Sequence, residues 1–196
     1  MQALKRTAAA EGVILFGCVL LAWCVELVDR VAFGGSLERF GIRPRDVSGL
    51  WGILVAPLLH AGWVHLAANT GPFLILGWLV MLRRISDFVV VTVVAILIGG
   101  LGVWLVGAPN SDHVGASGLI FGYLGYLLAR GYFERSLWAV VLALAAVLLY
   151  GGVLWGVLPG QAGISWEGHL FGFVAGIVAA RLLVSSTGAR RRPAPA

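Results

Sequence analysis

A few residues in this chain could carry chemistry in apolar surroundings. Ser117 lies in Gly115-Ala116-Ser117-Gly118, within a run that holds no charge between His113 and Arg130. A helix beginning there would present unpaired backbone N–H groups and the positive end of its dipole to that hydroxyl. Acyl transfer requires this of its nucleophile: an activated oxygen beside donors for the charge it creates. His65 and Asn69, four residues apart, fall on one face of a helix and can both donate hydrogen bonds. They suit two fixed donors aimed at an oxyanion, and equally a plain helix–helix hydrogen bond. His169, in Ser165-Trp166-Glu167-Gly168-His169, could serve as a general base. His113, four residues before Ser117, and His60 compete for that role; the spacing favours His169 and leaves all three open.

The elements that position these residues are membrane spans. Of 196 residues 60% are hydrophobic and 12% charged, with a mean hydropathy of +0.94, which excludes an ordinary soluble domain. Six apolar spans are expected, over residues 12–29, 63–82, 88–106, 115–129, 137–158 and 166–184. The fourth is short. Gly115 to Ala129 would extend roughly 22 Å, whereas a bilayer core is about 30 Å thick and asks for about 20 residues. With Arg130 at one surface, the Ser117 end must stop inside the membrane. Gly168, Gly172 and Gly176 repeat every four residues in the sixth span, and Gly118 and Gly122 do so in the fourth, followed by Gly125. Such stripes let two backbones approach closely, which would bring Ser117 to His169. Ser165 is expected to cap the sixth helix, and Glu167 to suit its first turn. Gly71-Pro72 is expected to kink the second.

Ten of the fourteen Lys and Arg residues fall on one side: Lys5, Arg6, Arg83, Arg84, Arg130, Arg135, Arg181 and Arg190 to Arg192. Arg30, Arg39, Arg43 and Arg45 fall on the other, all in the first loop. The bias predicts cytoplasmic termini and a Ser117 end facing outward, in a bacterial inner membrane. It also accounts for the net charge of +5 without a nucleic-acid partner. One domain is expected over 1–196, with a cytoplasmic N-terminus at 1–11 and a disordered cytoplasmic tail at 188–196. The first span is read as retained rather than as a cleaved signal peptide. Cys18 and Cys24, on one helix, cannot pair with each other. The histidines lack a ligand cluster, so no metal and no cofactor are expected. No carboxylate is placed to complete a triad: Asp112 lies in a loop and Glu167 points to a different face from His169. Leu119 stands where a nucleophile elbow needs glycine, and no sheet pattern exists, which excludes an α/β-hydrolase.

Together the motifs resemble those of the rhomboid intramembrane serine proteases: GxSG opening a short fourth helix, HxxxN in the second, and a histidine followed by glycines in the sixth. Here they read Gly115-Ala116-Ser117-Gly118, His65-Leu66-Ala67-Ala68-Asn69, and His169 with Gly172 and Gly176. The resemblance covers all six spans in order. It implies an all-α polytopic bundle of six transmembrane helices with a short central fourth helix. It implies a serine endopeptidase that cleaves in or near the transmembrane segments of other membrane proteins, with the bilayer as its medium. Ser117 would be the nucleophile and His169 the base, with His65, Asn69 and the Ser117 backbone N–H as the oxyanion hole. Phe121 would pack on the His169 ring, with Gly115, Gly118 and Gly172 in support. The first loop, about 30–50, lacks the Trp-Arg pair of some members, leaving the role of Arg43-Pro44-Arg45 open. The fifth span, with Gly151, Gly152 and Trp155, and the loop Pro159 to Ile164 are candidates for gate and cap. Two rivals remain. A catalytically inactive client-binding relative would typically lack the Ser or the His. A small transporter would show an inverted repeat and intramembrane acids, and apart from Glu26, near a span end, no intramembrane acid is expected.

Overall fold

The computed structural model describes residues 2–134, 136–160 and 163–189, and side chains within 8–134, 136–160 and 163–185. The side chains of Lys5 and Arg6, and residues Arg135, Gln161, Ala162 and 190–196, lie outside this description, and with them most of the expected disordered tail. Seven helices follow in order: α1 (Gln2–Val28, extended by a π turn to Phe33), α2 (Val47–Leu58, short) and α3 (Trp63–Met81). Then come α4 (Ile85–Val106, with a π turn at Ala95–Gly99), α5 (Ser117–Glu134), α6 (Leu137–Val157, ending in a 3₁₀ stretch) and α7 (Trp166–Ala189). The protein is an all-α, multi-pass integral membrane protein. Helices α1, α3, α4, α6 and α7 are each long and apolar enough to span a bilayer. Helix α5 is the central sixth, with every residue from Leu119 to Leu127 buried.

Two expectations need correction. Helix α5 begins at Ser117 rather than Gly115 and runs to Glu134, 18 residues, or roughly 27 Å. Arg130 is not open to solvent: it is 6% exposed, and its Nη1 donates to Asp87 Oδ2 at 2.6 Å and its Nε to Glu134 Oε2 at 2.7 Å. Tyr126 donates to the same Asp87 oxygen at 3.0 Å, and Arg83 pairs with Glu134. A charge that is expensive in apolar surroundings is held by partners from α4 and from its own helix. The last helix also continues past 184, to Ala189, and α3 runs unbroken through Pro72.

Helices α5 and α7 share the most extensive contact in the bundle. A Cβ on Gly172 would overlap the Gly118 carbonyl, one on Gly176 the Gly122 carbonyl, and one on Gly125 the Phe173 carbonyl. Three successive turns thus meet backbone to backbone. The first loop is strapped to the Ser117 end of the bundle. Ile42 and His113 exchange both backbone hydrogen bonds at 3.0 Å, Arg43 pairs with Asp112 at 2.8 Å, and Arg45 donates to the carbonyls of Leu105 and Gly107.

Gly176→Ala is expected to lower stability by about 1–3 kcal/mol or more, because neither backbone can yield. Gly71→Ala, whose Cβ would meet nothing within 4 Å, serves as the control, with unfolding in detergent as the readout. Arg130→Met is expected to cost about 3–5 kcal/mol by removing the cation that neutralises buried Asp87, to which only the Tyr126 hydroxyl would still donate, and the double variant Asp87→Leu with Arg130→Met to recover most of it.

Candidate active site

Ser117 is the first residue of α5. The turn that delivers it depends on Gly115, whose φ of +112° disfavours any side chain. A Cβ there would also lie 2.8 Å from His65 Nε2. The Gly115 amide donates to the Ala56 carbonyl at 2.9 Å, and the Ala116 amide to His60 Nε2 at 3.4 Å. Among the described residues the amides of Ser117 and Gly118 have no such partner, leaving two donors at the helix start.

A cavity of about 560 Å³ collects the candidates: Ser117, His169, His65 and Asn69 all line it. Its walls come from α3, α5, α7 and the segment before α5. On the α5–α7 side, a Cβ on Gly118 would stand 3.5 Å from the Gly168 carbonyl, so the chain flanking Ser117 and the chain flanking His169 are in van der Waals contact.

Hydrogen-bond polarity assigns each imidazole. His169 Nδ1 lies 2.9 Å from the Gly156 carbonyl. A carbonyl only accepts, so Nδ1 carries the hydrogen and a neutral ring keeps its lone pair on Nε2. The ring stacks on Phe121 with centroids 4.1 Å apart and planes at 12°. His65 is opposite: its Nδ1 accepts from the Ala61 amide at 3.2 Å, so Nε2 is the donor, and Nε2 is the nitrogen beside Gly115. Asn69 gives one N–H to the His65 carbonyl at 2.9 Å and retains a second.

His113 has both nitrogens occupied. The Ser111 hydroxyl donates to the Ala108 carbonyl at 2.6 Å, so it accepts from His113 Nε2–H at 2.8 Å. Nδ1 then accepts from the Ser165 hydroxyl at 2.6 Å, and Ser165 Oγ accepts from the Gly168 amide at 3.1 Å as the N-cap of α7. This chain runs one way, and it needs a neutral ring; burial holds the His113 pKa below its usual value. His60, 2% exposed, lies behind the Ser117 turn. With Nε2 accepting from Ala116, its hydrogen is on Nδ1, which has no hydrogen-bond partner. Burial, with His65 next in effect, pushes its pKa down to about 4.

Sequence reading missed three of these partners. The Gly156 carbonyl and the Ala61 amide are backbone groups, which carry no residue-type signal. Ser165 was read as a cap but not as the partner of His113. Among the described residues no group of His, Cys, Asp and Glu could hold a metal ion.

A polytopic helical bundle whose buried central helix starts with a serine, in the lining of a cavity shared with histidines, defines a narrow class of membrane protein. The chain belongs to the rhomboid family: residues 47–186 match the Rhomboid domain. It is 49% identical over 180 residues to an uncharacterized protein of Mycobacterium tuberculosis, covering 88% of this chain and 75% of that one. It is 32% identical over 145 residues to YdcA of Bacillus subtilis, whose name assigns it provisionally to the rhomboid proteases, covering 70% and 69%. RHOMBOID-like protein 4 of Arabidopsis thaliana is 31% identical over 134 residues, 65% of this chain and 32% of that protein.

The depressed His60 pKa has a consequence for stability. A histidine whose folded pKa lies below its unfolded value stabilises fully above the unfolded value near 6.5, and that stability is lost as pH falls toward about 4. The shift corresponds to about 3 kcal/mol. The unfolding midpoint is expected to drop between pH 7 and pH 4, and His60→Gln, which keeps an acceptor for Ala116 N–H but does not titrate, to flatten that slope.

Proposed function

We propose that this protein is an intramembrane serine endopeptidase that hydrolyses peptide bonds in or near the transmembrane segments of other membrane proteins. The observation that supports it best is the His169 tautomer. The Gly156 carbonyl fixes the hydrogen on Nδ1 and Phe121 holds the ring plane, so Nε2 is left as a base in the cavity that Ser117 also lines.

In the proposed reaction Ser117 Oγ passes its proton to His169 Nε2 as it attacks the scissile carbonyl carbon. The carbonyl oxygen becomes an oxyanion, facing His65 Nε2–H, the free N–H of Asn69 and the amide of Ser117. Such donors are worth several kcal/mol where water is scarce. Collapse of the tetrahedral species breaks the C–N bond, and His169 returns the proton to the leaving amine. A water, deprotonated by the same Nε2, then attacks the acyl-serine; the C–Oγ bond breaks, His169 returns the proton to Ser117 Oγ, and the acid is released. The backbone carbonyl takes the orienting place that a carboxylate holds in a triad.

The Lys and Arg distribution supports an orientation with both termini cytoplasmic and the Ser117 end outward, in a bacterial inner membrane. Removing Arg130 from that distribution leaves the bias intact. The substrate helix must unwind locally to expose its carbonyls.

The test is cleavage of a transmembrane reporter by the full chain in liposomes. Ser117→Ala and His169→Ala are each expected to lower the rate by at least about a thousandfold. His113→Ala is expected to retain part of it, since both His113 nitrogens serve structure. Full activity in Ser117→Ala would overturn the proposal. No cleavage by the wild type would favour the client-binding reading.

A further inference from the structure

The cavity that holds Ser117 is walled by charge of one sign. Among the described residues its lining contains three carboxylates, Glu38, Asp112 and Glu167, and no Lys or Arg. Two of the three are answered from behind: Arg30 lies 3.6 Å from Glu38, and Arg43 lies 2.8 Å from Asp112. Glu167 is different. It is 6% exposed, sits in the first turn of α7 two residues before His169, and lines the cavity. Among the described residues no N–H or O–H donates to its carboxylate, and His113, on which its charge acts, is committed to two serines. Its carboxylate opens onto the cavity, and a cationic group entering there supplies the partner that no protein residue does.

We propose that Glu167 is a specificity-determining residue that selects substrate segments carrying a Lys or Arg side chain close to the scissile bond. This rests on the reading of Ser117 and His169 as the catalytic pair. The cationic head of such a side chain pairs with Glu167, while Asp112 and Glu38 add attraction at longer range. Its apolar stem lies along the cavity wall, as long basic side chains do. A cavity of about 560 Å³ has room for an extended segment together with one long side chain. The same three carboxylates repel Asp or Glu at that position, so selection works by attraction and by exclusion.

The test uses the full-length protein in liposomes and a set of transmembrane reporters identical except at one residue. That residue is Lys, Gln or Glu, placed in turn at successive positions on either side of the cleaved bond. At one position at least, kcat/KM is expected to favour Lys over Glu by about tenfold or more. The ratio is expected to collapse toward unity in Glu167→Gln and to survive in Glu167→Asp, whatever the absolute rates. No preference for Lys at any position, or a ratio unchanged in Glu167→Gln, overturns the proposal. Binding of the uncleaved Lys and Glu reporters to Ser117→Ala provides an independent arm. If the wild type cleaves nothing, the protease reading fails, and tighter binding of the Lys reporter, lost on adding Glu167→Gln, still decides the role of Glu167.

Discussion

Helices α5 and α7 meet backbone to backbone, and the rest of the site depends on that separation. Between helices in lipid there is little hydrophobic driving force, so close packing of small residues must hold them. Gly118 faces Gly172, Gly122 faces Gly176, and Gly125 faces the Phe173 carbonyl. Each contact excludes a Cβ, so the spacing is set by main chain, which cannot adopt another rotamer. Ser117 and His169 adjoin the first of these contacts. Their separation is therefore fixed by the stiffest part of the bundle, which is what a reaction sensitive to displacements of an ångström requires. Helix α4 also packs on α7, less tightly at Gly99, where a Cβ would only touch Gly172, and at Gly102 against the Phe171 ring, which leaves no room for a Cβ.

Four histidines share one end of this bundle and are differentiated by the polarity of their partners. His60 and His65 accept from backbone amides, through Nε2 and Nδ1 respectively. His169 donates through Nδ1 to a carbonyl. His113 does both, between two serines. A partner that can only give or only take determines which ring nitrogen stays free and whether it carries a hydrogen. His65 is left with a donor and His169 with an acceptor, in one cavity, without a carboxylate touching either ring. His113 is spent on joining the loop before α5 to the cap of α7, which ties the two chain segments that bear Ser117 and His169.

The helical architecture could be read from the sequence because hydropathy and span length are local properties. The glycine stripes could be read too, since a four-residue interval on a helix always defines one face. Arg130 could not. Its charge marks a surface by any local rule, and only Asp87, 43 positions away, and Glu134 make it an interior residue. Proximity in sequence also misled about His113. Four residues from Ser117 suggests reach, but its backbone pairs with Ile42, and its ring engages Ser111 and Ser165. The Gly156 carbonyl had no signal at all, because any residue at 156 would present the same acceptor. A glycine is needed there for another reason: a Cβ would stand 2.8 Å from His169 Nδ1 and 3.3 Å from the Phe121 ring.

That last contact divides the site mechanically. Ser117 is held by α7 through unyielding main-chain contacts, and the far end of α5 is held by Asp87, which pairs with Arg130, and by Arg83, which pairs with Glu134. The orienting carbonyl for His169 comes instead from the 3₁₀ end of α6, Gly151–Val157, where no residue is buried. Helix α6 buries only Ala139, Leu142 and Ala146 earlier in its course. Segments with few buried contacts open at lower free energy than the core they flank. A shift of this segment would leave the serine in place and withdraw the hydrogen-bond acceptor that fixes the imidazole tautomer. The orientation of the His169 imidazole is thus linked to the packing of a sparsely buried stretch of the bundle, while the position of the Ser117 hydroxyl is not.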